Sequence, residues 1–137
     1  MTAITLHPIG VVRSTLTSRS GAPRQPDENA PAASIHFTPA VRDGLDGLRV
    51  GDRIVLLTWL DRARREVLKV HPRGEVTRPA QGVFTTRSPD RPNPIGVHEV
   101  EVTAVDGLRV DVGHLEAIDG TPVLDVKAVL PAHVHER

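Results

Sequence analysis

The stretch Gly82–Gly96, GVFTTRSPDRPNPIG, sets Arg87 and Arg91 among Pro89, Pro92 and Pro94. A guanidinium is planar, permanently charged and forked, which suits it to a carboxylate or a phosphate. The prolines fix their own φ and restrict Ser88, Arg91 and Asn93 before them, so the segment is neither helix nor central strand. A backbone restricted in advance loses less entropy when a ligand orders it. The chemistry to expect is anion binding on a rigid loop. The plain alternative is a stiff connector with two solvated arginines.

Three further segments carry polar groups that local structure does not account for. In PRQP, Pro23 and Pro26 flank Arg24 and Gln25, presenting a cation and an amide on a stiffened support. Trp59-Leu60-Asp61 ends an apolar run, and the end of a buried strand is a rigid place from which to meet a ligand; otherwise Trp59 fills the core. In IDGTPVLDVK, Asp119, Thr121, Asp125 and Lys127 recur at every second or third place, so a strand would set several on one face. The alternative there is an ordinary hairpin with Asp125 and Lys127 as a surface ion pair, worth at most about 1 kcal/mol. His133 and His135 form the one close histidine pair, at a terminus that frays more readily than it chelates. The sequence contains no GxGxxG after a strand, no GxxxxGK[ST] and no HExxH, which argues against a doubly wound nucleotide-binding domain.

The elements that must position these groups read as strands. Ile4–Val12 opens the chain as a bulged or edge strand interrupted by Pro8. Residues 15–33 form a long Ser-, Pro- and Gly-rich loop, of a length that is usually functional. Ser34–Phe37 is a short strand, and Thr38 with Pro39 starts one short helix that Asp43 and Gly44 weaken. Asp52–Leu60 is apolar on both faces and predicts a central buried strand; Glu66–Val70 alternates and predicts another. Downstream, alternation on both sides of Asp106–Gly107 predicts a hairpin, and the pattern repeats around Asp119–Gly120, with Pro122 demanding a looser turn. Six or more strands with such turn spacing imply an all-β fold, a small β-barrel with one short helix and long functional loops.

A chain of 137 residues suits one domain, residues 1–137, with room for a core. Aromatics are 2%, namely Phe37, Trp59 and Phe84, so that core must be aliphatic and base-stacking platforms are disfavoured. With no cysteine, disulfides, thiolate metal sites and a cysteine nucleophile are excluded. The first residues lack a basic region followed by a long apolar run, and no run approaches the roughly 20 residues that span a bilayer. These features predict a cytoplasmic protein. The formal net charge is zero but uneven: residues 61–91 hold eight Lys/Arg against four Asp/Glu, and residues 98–137 three against eight. A basic middle can bind an anion locally without making the whole surface adhesive.

Taken in order, IGVVRS, PRQP, GVFTTRSPDRPNPIG and DGTPVLDVK resemble the TrmO family, also called TsaA-like or YaeB-like, from about Ile9 to Pro131. LKVHPRG (Leu68–Gly74) is similar to the short, single-domain branch. The resemblance implies a small β-barrel that acts as a homodimer and binds S-adenosyl-L-methionine. The family reaction is methyl transfer to the exocyclic nitrogen of threonylcarbamoyladenosine beside the tRNA anticodon. It assigns cofactor contacts to Pro23, Arg24, Gln25, Arg87, Val97, Ile118, Asp119, Gly120 and Thr121. Leu60 and Asp61 stand where the family has a His-containing strand-end pair. Methyl transfer from a sulfonium needs alignment more than covalent help from protein. Helping the proton leave a weakly nucleophilic acylated nitrogen accelerates the step. That role falls to Asp125, with Lys127 orienting it or neutralising charge. Where the family commonly reads Asp-Ile-Lys-Pro-Tyr, this chain has Asp125-Val126-Lys127-Ala128-Val129. The lost ring leaves two other expectations open: a methyltransferase of the same fold acting on a small molecule, and a non-catalytic cofactor-binding regulatory module.

Overall fold

The computed structural model describes residues 2–19, 30–71 and 75–131. Eight strands occur among them: β1 (Gly10–Arg13), β2 (Ala33–Phe37), β3 (Arg53–Trp59), β4 (Lys69–Val70), β5 (Gln81–Gly82), β6 (Ile95–Asp106), β7 (Arg109–Val112) and β8 (Pro122–Ala128). Six close into a ring-like sheet, a closed barrel in the order β1-β2-β7-β6-β3-β8, and every pairing is antiparallel. Closure leaves no strand edge in this sheet to template aggregation. β4 and β5 pair separately, the first fragment being shorter than the strand expected over Glu66–Val70.

The ring closes over the aliphatic core that the composition demands. Val12, Ile35, Leu56, Val102, Val110, Val112, Leu115 and Val123 are completely buried. Each such side chain contributes about 1.5–3 kcal/mol relative to exposure. The period of two is clearest in β6, where Gly96, His98, Val100 and Val102 point inward and Ile95, Val97, Glu99 and Glu101 outward. β3 is central, with β6 on one side and β8 on the other. It is not buried on both faces as expected: Ile54, Leu56 and Thr58 enter the core while Val55, Leu57 and Trp59 remain half-buried outside. An apolar outer face is what misled the periodicity.

Several other boundaries differ from expectation for identifiable reasons. β1 begins at Gly10, after Pro8 and not around it, and residues 2–8 are exposed. The short helix is a 3-10 helix over Pro39–Leu45; Pro39 takes its first position, but Thr38 makes no side-chain cap. The hairpin turn slips by one residue. Asp106 still pairs with Arg109, so Gly107–Leu108 form the two-residue loop, and Gly107 adopts φ 60°. Glycine first in such a loop matches the twist of the strands it joins. No second hairpin forms at Asp119–Gly120. Residues 113–121 instead run past the ends of other elements, with Leu115 N–H donating to Pro31 O, Asp119 N–H to Leu16 O and Gly120 N–H to Val12 O. β8 therefore pairs with β1 and β3. Among the described residues, no helix is long and apolar enough to cross a membrane.

Candidate functional site

The proline-rich loop connects β5 to β6 and is fastened from inside by one of its own arginines. Arg91 donates from Nη1 to Ser88 O (2.9 Å) and Thr86 O (3.2 Å), and from Nη2 to Val83 O (2.8 Å). Its guanidinium braces the loop, which answers what that residue does. Thr86 Oγ1 donates to Val83 O, and a short 3-10 turn over Val83–Thr85 starts the segment. Arg87 differs: it is exposed and makes no hydrogen bond or ion pair to any described residue. One arginine is structural, and the other is unengaged among the described residues.

A second arginine set holds the loop from outside. Arg65 donates from Nε to Pro92 O (2.7 Å) and from Nη2 to Asn93 Oδ1 (3.1 Å) while its guanidinium lies 5.2 Å from the Trp59 ring centroid. Trp59 is thus covered by a cation on the outer face and is no simple core filler. Arg91 N–H donates to Arg64 O. Asp90 accepts from Arg64 N–H (2.8 Å) and, through both oxygens, from Arg19 Nη2 (2.9 and 3.0 Å). Within the basic stretch between residues 61 and 91, Arg65 and Arg91 consequently spend their guanidinium groups on scaffold.

Partial burial pushes the Asp90 carboxyl up, but the Arg19 side-chain bond, the Arg64 backbone bond and both positive charges outweigh it. The net result lies below the ordinary value of 3.8. A carboxyl depressed on folding adds stability above its unfolded pKa, and that stability is lost as pH falls through the folded pKa. Asp90→Asn is expected to lower stability at pH 7 by at most about 1 kcal/mol and by less at pH 2. Denaturant titrations at the two pH values check this; an equal deficit at both would reject it.

The ring places the remaining expected residues at two positions. Leu60 N–H donates to Pro94 O at 2.8 Å, joining the end of β3 to the end of the loop, with Asp61 exposed just beyond. Val97 lies outward on β6 opposite Leu57, and Leu57 lies opposite Asp125 on β8. At ordinary strand spacing the Val97 and Asp125 backbones are about 10 Å apart on one face. Lys127 Nζ stands 4.0 Å from Asp125 Oδ2, and both are exposed.

Asp119, Thr121, Asp125 and Lys127 do not share a face. Thr121 is buried, its hydroxyl donating to Ile118 O, whereas Asp125 and Lys127 are exposed. Asp119 Oδ1 accepts from Ser14 N–H at 3.0 Å and lies 3.9 Å from Arg13 Nη1. Gly120 turns the chain there with φ 86°. Asp119 therefore ties this turn to the end of β1. Pro23, Arg24, Gln25, His133 and His135 lie outside the described residues.

Sequence reasoning missed three features. Phe84, one of only three aromatics, is 79% exposed at the start of the loop; its place beside the prolines was the available signal. Arg19 and Asp90 are 71 positions apart, and nothing local announces their pairing. A buried line of Thr58, His98 and Glu116 likewise joins residues from distant segments.

This architecture has close counterparts. A "Probable S-adenosyl-L-methionine-binding protein" of Methanothermobacter thermautotrophicus is 44% identical over 124 residues, covering 90% of this chain and 88% of the relative. An "S-adenosyl-L-methionine-binding protein" of Archaeoglobus fulgidus is 43% identical over 126 residues, covering 92% and 89%. Two crystal structures of TrmO from Pseudomonas aeruginosa superpose with a TM-score of 0.76 at 29% and 27% identity. They cover 98% and 99% of this chain, which spans only 58% and 61% of theirs. The family of the tRNA-methyltransferase O N-terminal domain matches residues 11–133. The chain belongs to that family.

Proposed function

We propose that this protein binds S-adenosyl-L-methionine at the junction of the proline-rich loop, the end of β3 and the Ile118–Thr121 turn, and transfers its methyl group to tRNA. The acceptor we assign is N6 of threonylcarbamoyladenosine beside the anticodon. The observation that carries the cofactor assignment is the contrast between the two loop arginines. Arg91 is spent on three carbonyls, while Arg87 stands exposed and unengaged among the described residues, fit to pair with an amino-acid carboxylate.

Bound cofactor supplies an electrophilic methyl carbon on a sulfonium. The protein's part is to hold that carbon in line with the acceptor nitrogen and to take up a proton. With the methyl group passing to the acceptor nitrogen, the electron pair of the carbon–sulfur bond would remain with the cofactor's sulfur. The nitrogen's proton passes to Asp125, whose exposed carboxylate lies on the face that carries Val97, and Lys127 offsets the charge. Incubating the protein with methyl-labelled cofactor and tRNA that carries threonylcarbamoyladenosine without its methyl group tests this. Label should enter that nucleoside, and tRNA binding should weaken steeply as salt rises. Cofactor binding without transfer to any tRNA would reject the acceptor.

A second reading has its own support. Ala128-Val129 replaces the family's Pro-Tyr after Lys127, and Arg65 and Arg91 of the basic middle are committed to the loop. A small-molecule acceptor, or cofactor binding without transfer, would follow from that loss.

The outer face of β3 and β6 supports the homodimer. Ile95 and Val97 are each 42% exposed beside the half-buried Leu57 and Trp59, an apolar strip that a second copy would cover. Ile95→Glu is expected to shift sedimentation from dimer to monomer. A wild-type monomer at micromolar concentration would end the dimer assignment.

A further inference from the structure

Three side chains form a buried line inside the ring. Thr58 Oγ1 lies 2.7 Å from His98 Nε2, and His98 Nδ1 lies 2.5 Å from Glu116 Oε1. Thr58 is 0% exposed and His98 5%, and the Glu116 side chain is 12% exposed. Glu116 Oε2 is buried without a hydrogen-bond partner among the described residues. A carboxylate oxygen accepts, so Nδ1 donates to Glu116; the Thr58 hydroxyl can donate or accept and serves Nε2 in either state of the ring.

Hydroxyl, imidazole and carboxylate in this order are the parts of a hydrolytic nucleophile. Burial excludes that use here. Thr58 has no accessible surface, and Gly96 stands against it so closely that a Cβ there would fall 2.4 Å from Thr58 Oγ1 and 2.7 Å from His98 Nε2. No substrate carbonyl can approach the oxygen.

The line instead connects roots. Thr58 stands two residues before Leu60, His98 directly follows Val97 and Glu116 stands two residues before Ile118. These are the segments to which the cofactor is assigned, and they come from β3, β6 and the run after β7. An aliphatic core would hold them together without directional preference. A buried, hydrogen-bonded network fixes one arrangement, and losing one member leaves the others unpaired in a medium where that is costly.

We propose that Thr58, His98 and Glu116 are a positioning relay that sets the mutual placement of the proline-loop end, the β3 end and the Ile118–Thr121 turn. Cofactor affinity then depends on side chains that never touch the cofactor. This rests on the cofactor reading of Proposed function.

The test combines S-adenosylmethionine titration calorimetry, thermal unfolding and nitrogen NMR of the His98 ring, using the full chain. Thr58→Val keeps the shape and removes the hydroxyl, Glu116→Gln removes the charge, and Thr58→Ser keeps the hydroxyl. Thr58→Val and Glu116→Gln are expected to weaken binding by about tenfold or more while remaining folded, with Thr58→Ser close to wild type. Adding cofactor to the wild type should shift the His98 ring resonances. Folded Thr58→Val or Glu116→Gln with wild-type affinity overturns the relay and leaves the cofactor site standing. Unchanged ring resonances on saturation also overturn it, even where a variant fails to fold. Wild-type protein that binds no cofactor overturns the cofactor reading and the relay with it.

Discussion

Gly96→Ala is expected to cost about 2–3 kcal/mol of stability, the upper part of the range for overpacking a core. For a chain of this size the midpoint of thermal unfolding should fall by about 5–10 °C. Gly96 faces inward on β6 directly opposite Thr58 on β3, so the two backbones cannot move apart without loosening the ring. The added methyl carbon would sit 2.4 Å from Thr58 Oγ1 and 2.7 Å from His98 Nε2. Neither atom ends a flexible chain. Thr58 is β-branched and sealed, and the His98 ring is held at its other nitrogen by Glu116. The diagnosis has an internal control. Thr58→Ala removes the crowded oxygen, so adding Gly96→Ala to it should cost about 1 kcal/mol less than in the wild type, measured as the coupling in a double-mutant cycle. Strict additivity, or a Gly96→Ala protein within about 0.5 kcal/mol of wild type, would mean that β3 and β6 are not packed through this pair.

The outline of the ring was legible because strand period and turn chemistry are local. β2 was legible as a short strand between Pro31 and Pro39, and β6 with the β6–β7 hairpin follows from alternation around Asp106–Gly107. What escaped depends on which strand lies beside which. β8 begins after an Asp-Gly pair that looks like a hairpin turn, yet its partners are β1 and β3, over 60 residues earlier in the chain. Local preference could not reveal that non-local pairing wins. The site divides the same way. The proline loop announced its own rigidity, and its composition offered two arginines. Only the fold separates them, because the carbonyls that capture Arg91 converge after the loop has turned back on itself. His98 and Glu116 gave no signal at all, since a histidine in an alternating strand and a glutamate in a loop are each ordinary alone.

That separation makes Arg87 and Arg91 a matched pair whose variants should fail in opposite ways. Arg87→Ala removes no hydrogen bond or ion pair among the described residues, so its unfolding midpoint should stay close to the wild-type value. Its affinity for S-adenosylmethionine should fall about 10- to 100-fold, the equivalent of one charged hydrogen-bonded pair of about 1.5–3 kcal/mol. Arg87→Lys should recover only part of this, because an ammonium keeps the charge but not the two-pronged geometry. Arg91→Ala leaves the carbonyls of Val83, Thr86 and Ser88 without their shared donor, so its main effect should be a loss of about 1–3 kcal/mol of stability. The ligand can be cut at the matching place. Decarboxylated S-adenosylmethionine should bind the wild type more weakly than the cofactor, by a factor similar to that of the Arg87→Ala change. Arg87→Ala should bind the two ligands nearly alike, because each alteration removes the same contact and the second then has nothing left to remove. If Arg87→Ala still discriminates as the wild type does, the carboxylate lies elsewhere. If Arg91→Ala shows the affinity loss at an unchanged midpoint, the roles of the two arginines are exchanged, and the three carbonyl contacts are not what secures the loop.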